Sequence, residues 1–222
     1  MEVKKIGVLG AGTMGHGIAQ AAAAAGFETV MYDVTPELVA RGRARIEGAL
    51  EKRVAKGKLS REEKDAVMGR LRSSADLREA VGEADFVIEA APEDLALKKK
   101  IFAEIDGYCK AETILATNTS VLSVTAVAGA TNRKDKVVGT HFFNPAAVMR
   151  LVEVVCPVGV AEETVAIAME TIRRMGKVPI RVKDTPGFIV NRLLGPLYMT
   201  AAQMVLDGVA TAEDIDTAMK LG

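Results

Sequence analysis

The sequence predicts an α/β protein: a doubly wound, Rossmann-type sheet with an inserted helical hairpin, followed by a helical region. Short apolar runs, typical of parallel strands buried on both faces, alternate with helical segments as far as residue 183. A glycine-rich turn joins the first of these runs to the first helix. Beyond residue 185 only helical patterns follow. We therefore predict a Rossmann-like domain over residues 1–185 and the beginning of a helical domain over residues 186–222.

The composition is that of an ordinary globular chain. Its 29 basic and 29 acidic residues cancel, so no electrostatic footprint for nucleic acid or anionic membrane is expected. No signal-peptide pattern opens the chain, and its longest apolar run, residues 18–27, is too short to span a bilayer. Two histidines and the distant pair Cys109 and Cys156 offer no metal-ligand spacing. We predict a cytoplasmic protein with reduced, buried thiols and no metal, nucleic-acid or membrane partner.

The first forty residues carry a dinucleotide-binding pattern. Strands are predicted at residues 6–9 and 29–32, with an alanine-rich helix between them. The turn into that helix has the spacing GxGxxG, formed by Gly10, Gly12 and Gly15. The first glycine permits the tight turn, the second lets a pyrophosphate approach the backbone, and the third lets the helix pack against the sheet. The free amides at the start of the helix would bind the phosphates.

Asp33 directly follows the second predicted strand. A carboxylate there accepts a hydrogen bond from a ribose 2′-hydroxyl and repels a 2′-phosphate, which favours NAD over NADP. A glycine turn of purely structural use is the alternative for this region. His16, in the first turn of the helix, is interpreted as a surface or helix-packing residue.

A helical hairpin at about residues 36–71 interrupts the alternation. Its second helix begins at Ser60, and Glu63 three residues later completes a capping box. The hairpin carries four cations near its connection, Lys52, Arg53, Lys56 and Lys58. A solvated charged face is the ordinary interpretation of such a run, and a site for a phosphorylated substrate is the other.

The alternation then resumes and ends in helices. Strands are predicted at residues 85–90, 113–120, 136–143, 150–156 and 177–183. The segments EAAPED, NTS and HFFNP follow strands, where ligands of open sheets bind. A helix is predicted over residues 95–109, with Lys98 to Lys100 mostly in solvent. Residues 188–206 are apolar nearly all round, which predicts a helix buried on every side, and residues 212–221 form an amphipathic helix.

The segment HFFNPAAVMRLVEV contains His141, one of only two histidines, and Glu153, the lone carboxylate of a valine-rich run. A core histidine beside a strand is one interpretation. The other is a catalytic base with its orienting carboxylate, since histidine accepts protons near neutral pH and a carboxylate on its second nitrogen fixes the tautomer.

Four motifs stand in a fixed order along the chain: GAGTMGHGIAQ, NTSVLSV, HFFNPAAVMRLVEVV and KDTPGFIVNRLL. With them, the sequence resembles the 3-hydroxyacyl-CoA dehydrogenase family over its whole length, and the bacterial 3-hydroxybutyryl-CoA dehydrogenases in particular. The resemblance implies an NAD-dependent oxidoreductase that interconverts (S)-3-hydroxyacyl-CoA and 3-ketoacyl-CoA.

The resemblance also implies roles for individual residues. His141 is the base, Glu153 orients it, and Ser120 and Asn191 hydrogen-bond the substrate oxygen. Without the resemblance, Ser120 would be interpreted as a turn cap and Asn191 as a helix-start residue. The implied cofactor contacts are Gly10, Gly12, Thr13, Met14, Gly15, Asp33, Glu93, Lys98, Ser120 and Asn144. The implied contacts to coenzyme A are Lys56 and Ser120.

The sequence departs from the family pattern in two places. Ala49 stands where the family has a hydroxyl residue that shares the contact with the coenzyme A phosphates. Family chains also continue past residues 218–222 with helices that complete the C-terminal domain and form the dimer. The resemblance therefore implies an incomplete helical domain, and a homodimer or higher homo-oligomer assembled through the C-terminal helices.

Other classes fit the sequence less well. β-Hydroxyacid dehydrogenases share a similar glycine-rich start but use a lysine as acid and base, which the HFFNP segment with Glu153 disfavours. Short-chain dehydrogenases need YxxxK, and no tyrosine of this chain has a lysine four residues later. The remaining alternative is an NAD-binding but catalytically silent member, or fragment, of the same superfamily.

Overall fold

The computed structural model describes residues 1–222 and contains one eight-stranded sheet. In chain order, β1 to β8 are Lys5–Leu9, Glu28–Tyr32, Leu71–Ser74, Phe86–Glu89, Ile114–Thr117, Val137–Phe142, Leu151–Cys156 and Val178–Lys183. Across the sheet they lie in the order β3-β2-β1-β4-β5-β6-β7-β8. Neighbours run parallel except β6 and β7, so β7 and β8 oppose the other strands. The predicted doubly wound sheet is confirmed.

Helices cover both faces of this sheet. In chain order, α1 to α9 are Gly15–Ala24, Pro36–Ala55, Arg61–Arg70, Leu77–Val81, Leu95–Asp106, Val124–Ala128, Glu162–Arg174, Val190–Leu206 and Ala212–Leu221. Apolar side chains of α1, α2, α3 and α7 pack on one face, and those of α4, α5 and α6 pack on the other. Successive strand residues supply the two layers in turn: Val87 lies in the second layer and Ile88 in the first. None of the helices combines the length and apolar character needed to cross a membrane.

The predicted hairpin is formed by α2 and α3. Its capping box is present, because the Ser60 hydroxyl accepts from the Glu63 amide at 3.1 Å while the Glu63 carboxylate accepts from the Ser60 amide at 2.7 Å. The hairpin is held by ion pairs of Arg61 and Lys64 with Glu51. The four cations near the connection are exposed and take part in no such pair.

Three short elements were not predicted from the sequence: β3, α4 and α6. Strand β3 is an edge strand with the sequence LRSS, which contains one apolar residue and therefore no alternating pattern. Helices α4 and α6 have five residues each, too few for a helical period to be recognised. They are fixed instead by the capping side chains of Asp76 and Ser123.

The expectation that the apolar helix after residue 188 is buried on every side is wrong for this structure. Helix α8 contains no buried residue, and Leu193, Met199 and Leu206 are exposed to 70%, 72% and 80%. An apolar pattern on all sides shows which side chains a helix could bury, not which neighbours it has. In this structure α9 is the main element that packs against α8, so most of the apolar side chains of α8 stay exposed. The two cysteines are half-buried rather than buried, and burial raises the pKa of the Cys109 thiol to about 11.

Candidate active site

The loops that follow β1, β4, β5 and β6 meet at one edge of the sheet, because these strands are parallel. A groove with a volume of about 870 Å³ runs along this edge. The residues predicted for the cofactor that line it are Gly10, Gly12, Thr13, Met14, Asp33, Glu93 and Ser120. The groove therefore joins the glycine-rich turn to the loop after β5.

Steric limits explain the three glycines of the turn. Gly10 has a φ of 100°, and a Cβ there would lie 2.8 Å from the Ala90 carbonyl oxygen. A Cβ on Gly15 would come within 1.7 Å of the Gly10 carbonyl oxygen. Gly12 differs, since a Cβ there would meet no atom within 4 Å. Gly12 thus faces open space in the groove, where a side chain would occupy room that a phosphate needs.

The turn also offers hydrogen-bond donors to an anion. The main-chain amides of Gly12, Thr13 and Met14 donate to no group of the protein and lie at the start of α1. Asp33 is fixed at the rim, because its carboxylate accepts from the amides of Ala11 and Val34, each at 2.8 Å. Beyond Asp33 the groove has apolar walls suited to a flat ring, formed by Val34, Leu38, Leu77, Leu97 and Ile101. Pyrophosphate, ribose and base of a dinucleotide all find fitting groups here.

Glu93 organises the loop that carries Ser120. One of its carboxylate oxygens accepts from the Thr119 hydroxyl and from the amides of Ser120 and Val121, the last two at 2.8 and 3.2 Å. Burial acts to raise the pKa of the Glu93 carboxyl, but these hydrogen bonds and the charge of Lys98 outweigh burial and lower it. Glu93 is therefore held as a carboxylate at the groove, with Ser120 fixed beside it.

Lys98 is not in solvent, and this part of the prediction is wrong. Its side chain is fully buried, and its ammonium donates to both carboxylate oxygens of Glu89 at 2.7 and 3.0 Å. The ammonium is also 3.7 Å from Glu93. Glu89 is the reason for this burial, because a buried carboxylate is stable only with a cation beside it, and Lys98 is that cation. Glu89 was not among the residues predicted from the sequence. Lys98 does not line the groove, and its predicted cofactor contact stays a prediction.

His141 and Glu153 form a buried pair. Antiparallel β6 and β7 bring them directly opposite each other, although a loop of eight residues separates the strands. The distance from His141 Nδ1 to Glu153 Oε2 is 2.6 Å, and neither residue is more than 5% exposed. An ionised carboxylate can only accept, so Nδ1 carries the ring proton and Nε2 is the free acceptor of the neutral ring. The pair has the geometry of a base and its orienting group.

The other two predicted catalytic residues adjoin this pair. Asn191 donates from its amide nitrogen to the Ser120 carbonyl oxygen at 3.3 Å. The second oxygen of Glu153 accepts from the amides of Ile189 and Val190, which directly precede Asn191. The four residues thus form two hydrogen-bonded pairs, His141 with Glu153 and Asn191 with Ser120, and the chain just before Asn191 joins the pairs through its amides on Glu153.

Asn144 lies in the loop between β6 and β7, is exposed, and does not line the groove. This loop is anchored by the buried Lys177, whose ammonium donates to the carbonyl oxygens of Ala146 and Met149 at 2.7 and 2.8 Å. Burial without a carboxylate lowers the pKa of Lys177.

Asn118 is a groove residue that was not predicted from the sequence. Its side-chain oxygen accepts from the Phe142 amide at 2.9 Å, which links the groove to the strand that carries His141.

Lys56 lies apart from these residues. It is exposed at the carboxyl end of α2 and contacts none of the groove residues through a hydrogen bond or ion pair. Its role at coenzyme A, like the roles of the other site residues, remains a prediction.

The fold and the site are those of a Rossmann-type dehydrogenase. Three features define this class: a glycine-rich turn before a helix, a carboxylate after the second strand, and a histidine–glutamate pair at the same sheet edge. Comparison with known families gives the particular one. The family model "3-hydroxyacyl-CoA dehydrogenase, NAD binding domain" matches residues 5–185, and that family's C-terminal domain model matches residues 187–222. The chain belongs to the 3-hydroxyacyl-CoA dehydrogenase family, and NAD is its cofactor.

Individual relatives agree with this assignment. A probable 3-hydroxybutyryl-CoA dehydrogenase of Bacillus subtilis is 46% identical, over 100% of this chain and 77% of its own. The human mitochondrial hydroxyacyl-coenzyme A dehydrogenase is 42% identical, over 99% of this chain and 72% of its own. The crystal structure of (S)-3-hydroxybutyryl-CoA dehydrogenase from Ralstonia eutropha superimposes with a TM-score of 0.97 at 40% identity, covering 100% and 78% of the two chains. The resemblance inferred from the four motifs is confirmed.

The position of Asp33 predicts cofactor selectivity. NADH should be used in preference to NADPH, because the carboxylate at the groove rim accepts from a ribose hydroxyl and repels a phosphate. Replacing Asp33 with Ser should narrow the ratio of kcat/KM for the two cofactors. Steady-state kinetics with each cofactor measure this ratio. If the unsubstituted protein used NADPH and NADH equally well, the assignment of Asp33 to the ribose would be wrong.

Proposed function

We propose that the protein catalyses the NAD-dependent oxidation of (S)-3-hydroxybutyryl-CoA to acetoacetyl-CoA, and the reverse reaction. The observation that carries this proposal is the buried His141–Glu153 pair at the sheet edge that also bears the dinucleotide groove. The names of the Bacillus subtilis and Ralstonia eutropha proteins support the choice of a four-carbon acyl group. A catalytically silent member of the family is not favoured, since the base has its orienting carboxylate and a free ring nitrogen.

Each of the four catalytic residues has a role in the reaction. Bound NAD⁺ supplies the acceptor for the hydride that leaves carbon 3 of the substrate. The Nε2 atom of His141 takes the hydroxyl proton while the O–H electron pair becomes the second bond of the carbonyl group. Glu153 stabilises the imidazolium that results. The Ser120 hydroxyl and the Asn191 amide hydrogen-bond the substrate oxygen and stabilise the charge that develops on it.

We assign the groove contacts of the cofactor by position. The amides of residues 12–14 bind the pyrophosphate, Asp33 binds a ribose, and Glu93 and Ser120 contact the nicotinamide end. Asn144 does not line the groove, and its contact with the nicotinamide end is proposed from the family resemblance alone. Coenzyme A carries phosphates, and Lys56 on the exposed hairpin is the cation that we propose for them. Ala49 cannot donate a hydrogen bond, so this contact rests on the lysine.

The proposed function predicts that turnover depends on His141. With NADH and acetoacetyl-CoA, the protein should consume NADH, and His141→Asn should lower kcat by roughly 10²–10⁴ because general acid–base catalysis is lost. NADH binding, measured by fluorescence titration, should be little changed, since His141 does not line the groove. Tight NADH binding without turnover by the unsubstituted protein would contradict the proposal and favour the silent alternative.

We further propose two domains, residues 1–185 and residues 186–222, with self-association of the protein through residues 187–221. The division follows the change from a buried sheet to helices without buried residues. Burying a large apolar side chain contributes roughly 1.5–3 kcal/mol, and α8 exposes Leu193, Tyr198, Met199 and Leu206 to between 64% and 80%. Pairing of these faces between protomers would remove them from water.

Association should be visible by light scattering at micromolar concentration, as a mass above that of one chain. Leu206→Glu should weaken it, because the change puts a charge on the apolar face. Val158→Glu is the matched control, since Val158 is 79% exposed and Leu206 80%, but Val158 lies in a loop of the first domain. A well-folded protein that stays monomeric at this concentration would contradict the proposed self-association.

A further inference from the structure

Phe188 has an unusual backbone conformation for a bulky residue. Its φ is 51°, and it is the only residue other than glycine with a positive φ. Bulky residues rarely adopt this left-handed region, because Cβ crowds the backbone. Such outliers persist where the surrounding structure imposes them, and they cluster at functional sites.

The chain on both sides of Phe188 is fixed by hydrogen bonds. The Phe188 amide donates to the Thr185 carbonyl oxygen at 3.0 Å, and the Arg192 amide donates to Gly187 at 2.9 Å. The next two amides, of Ile189 and Val190, both donate to Glu153 Oε1, at 3.0 and 3.1 Å. The turn at Phe188 therefore aims the start of α8 at the carboxylate that holds His141.

The side chain of Phe188 points back into the same site. It is 3% exposed, and its ring centroid lies 5.6 Å from that of His141 at an interplanar angle of 56°. A second ring, Phe143, lies 4.5 Å from the imidazole at 47°. The imidazole is thus confined by two phenyl rings and by the hydrogen bond from Nδ1 to Glu153. Nε2 remains the ring nitrogen without a protein partner.

An ordinary core role does not explain these features. Other members of the same apolar layer, such as Phe102, are fully buried in regular helices with ordinary backbone angles. A side chain needed only to fill space can be supplied from such positions without strain. At Phe188 a single left-handed residue delivers both the ring to the imidazole and two amides to Glu153.

We propose that Phe188 is a positioning residue of the active site, which holds the His141 imidazole against Glu153 and ties its orientation to the start of α8. The proposal rests on the proposed function, because it takes His141 to be the base. Phe188 does not line the cofactor groove, and its ring packs on the imidazole, so its role is exerted through His141.

The test compares Phe188→Leu with Phe102→Leu, a matched aromatic loss in the same apolar layer. Because the chain has only two histidines, ¹⁵N-histidine NMR resolves His141 with His16 as internal reference. In Phe188→Leu, the His141 Nδ1 proton should broaden and exchange faster with water, while the His16 signals stay unchanged. The kcat for acetoacetyl-CoA should fall roughly tenfold to a hundredfold, the cost of a misplaced catalytic group, with KM and NADH affinity retained.

Phe102→Leu should lower thermal stability without either effect, and Phe188→Tyr, which keeps the ring, should restore the His141 signal. The proposal is overturned if Phe188→Leu leaves the signal and kcat intact, if Phe102→Leu reproduces both changes, or if Phe188→Leu fails to fold while Phe102→Leu folds. A wild-type protein that gives the His141 signal but no turnover would refute the proposed function alone. The signal would then still decide the role of Phe188.

Discussion

The buried carboxylate of Glu153 is the constraint on which the site depends. A carboxylate with no exposed surface must have all its hydrogen-bond partners supplied by the protein. One oxygen of Glu153 accepts a hydrogen bond from Nδ1 of His141, and the other accepts from the amides of Ile189 and Val190 at the start of α8. The same charge therefore orients the base and fixes the entry of the helical region. Displacing either partner would leave a buried charge incompletely satisfied.

A second set of buried charges performs the matching task on the cofactor side. Glu89 and Lys98 form a fully buried pair, and Lys98 adds its charge to Glu93. Glu93 in turn holds the amide of Ser120, whose carbonyl oxygen accepts from Asn191. The groove residue Ser120 is thus hydrogen-bonded to Asn191, which directly follows the two residues whose amides donate to Glu153. Because hydrogen bonds within the buried Glu89–Lys98 pair and to Glu93 fix these groups, the site is preorganised before ligands arrive.

The sequence was most informative where a residue type has a required geometry. The glycine spacing and Asp33 predicted the groove, and the isolated His141 and Glu153 predicted a pair that antiparallel register brings together. Burial of Lys98 could not be predicted, because its triple-lysine context resembles a solvated face and its partner Glu89 lies on another element. The left-handed Phe188 carries no sequence signal, since its conformation is imposed by tertiary contacts. The exposure of α8 depends on neighbours and not on its own pattern.

Amide hydrogen exchange at Ile189 and Val190 tests most directly whether one carboxylate holds both the base and the helix. In Glu153→Ala, exchange of these two amides should accelerate by roughly tenfold to a hundredfold, since a hydrogen bond to a charged group contributes about 1.5–3 kcal/mol. The Thr125 amide, which donates to Asp184 at 2.7 Å, is the internal reference and should be unchanged. Unaltered protection of Ile189 and Val190 in that variant would contradict the account.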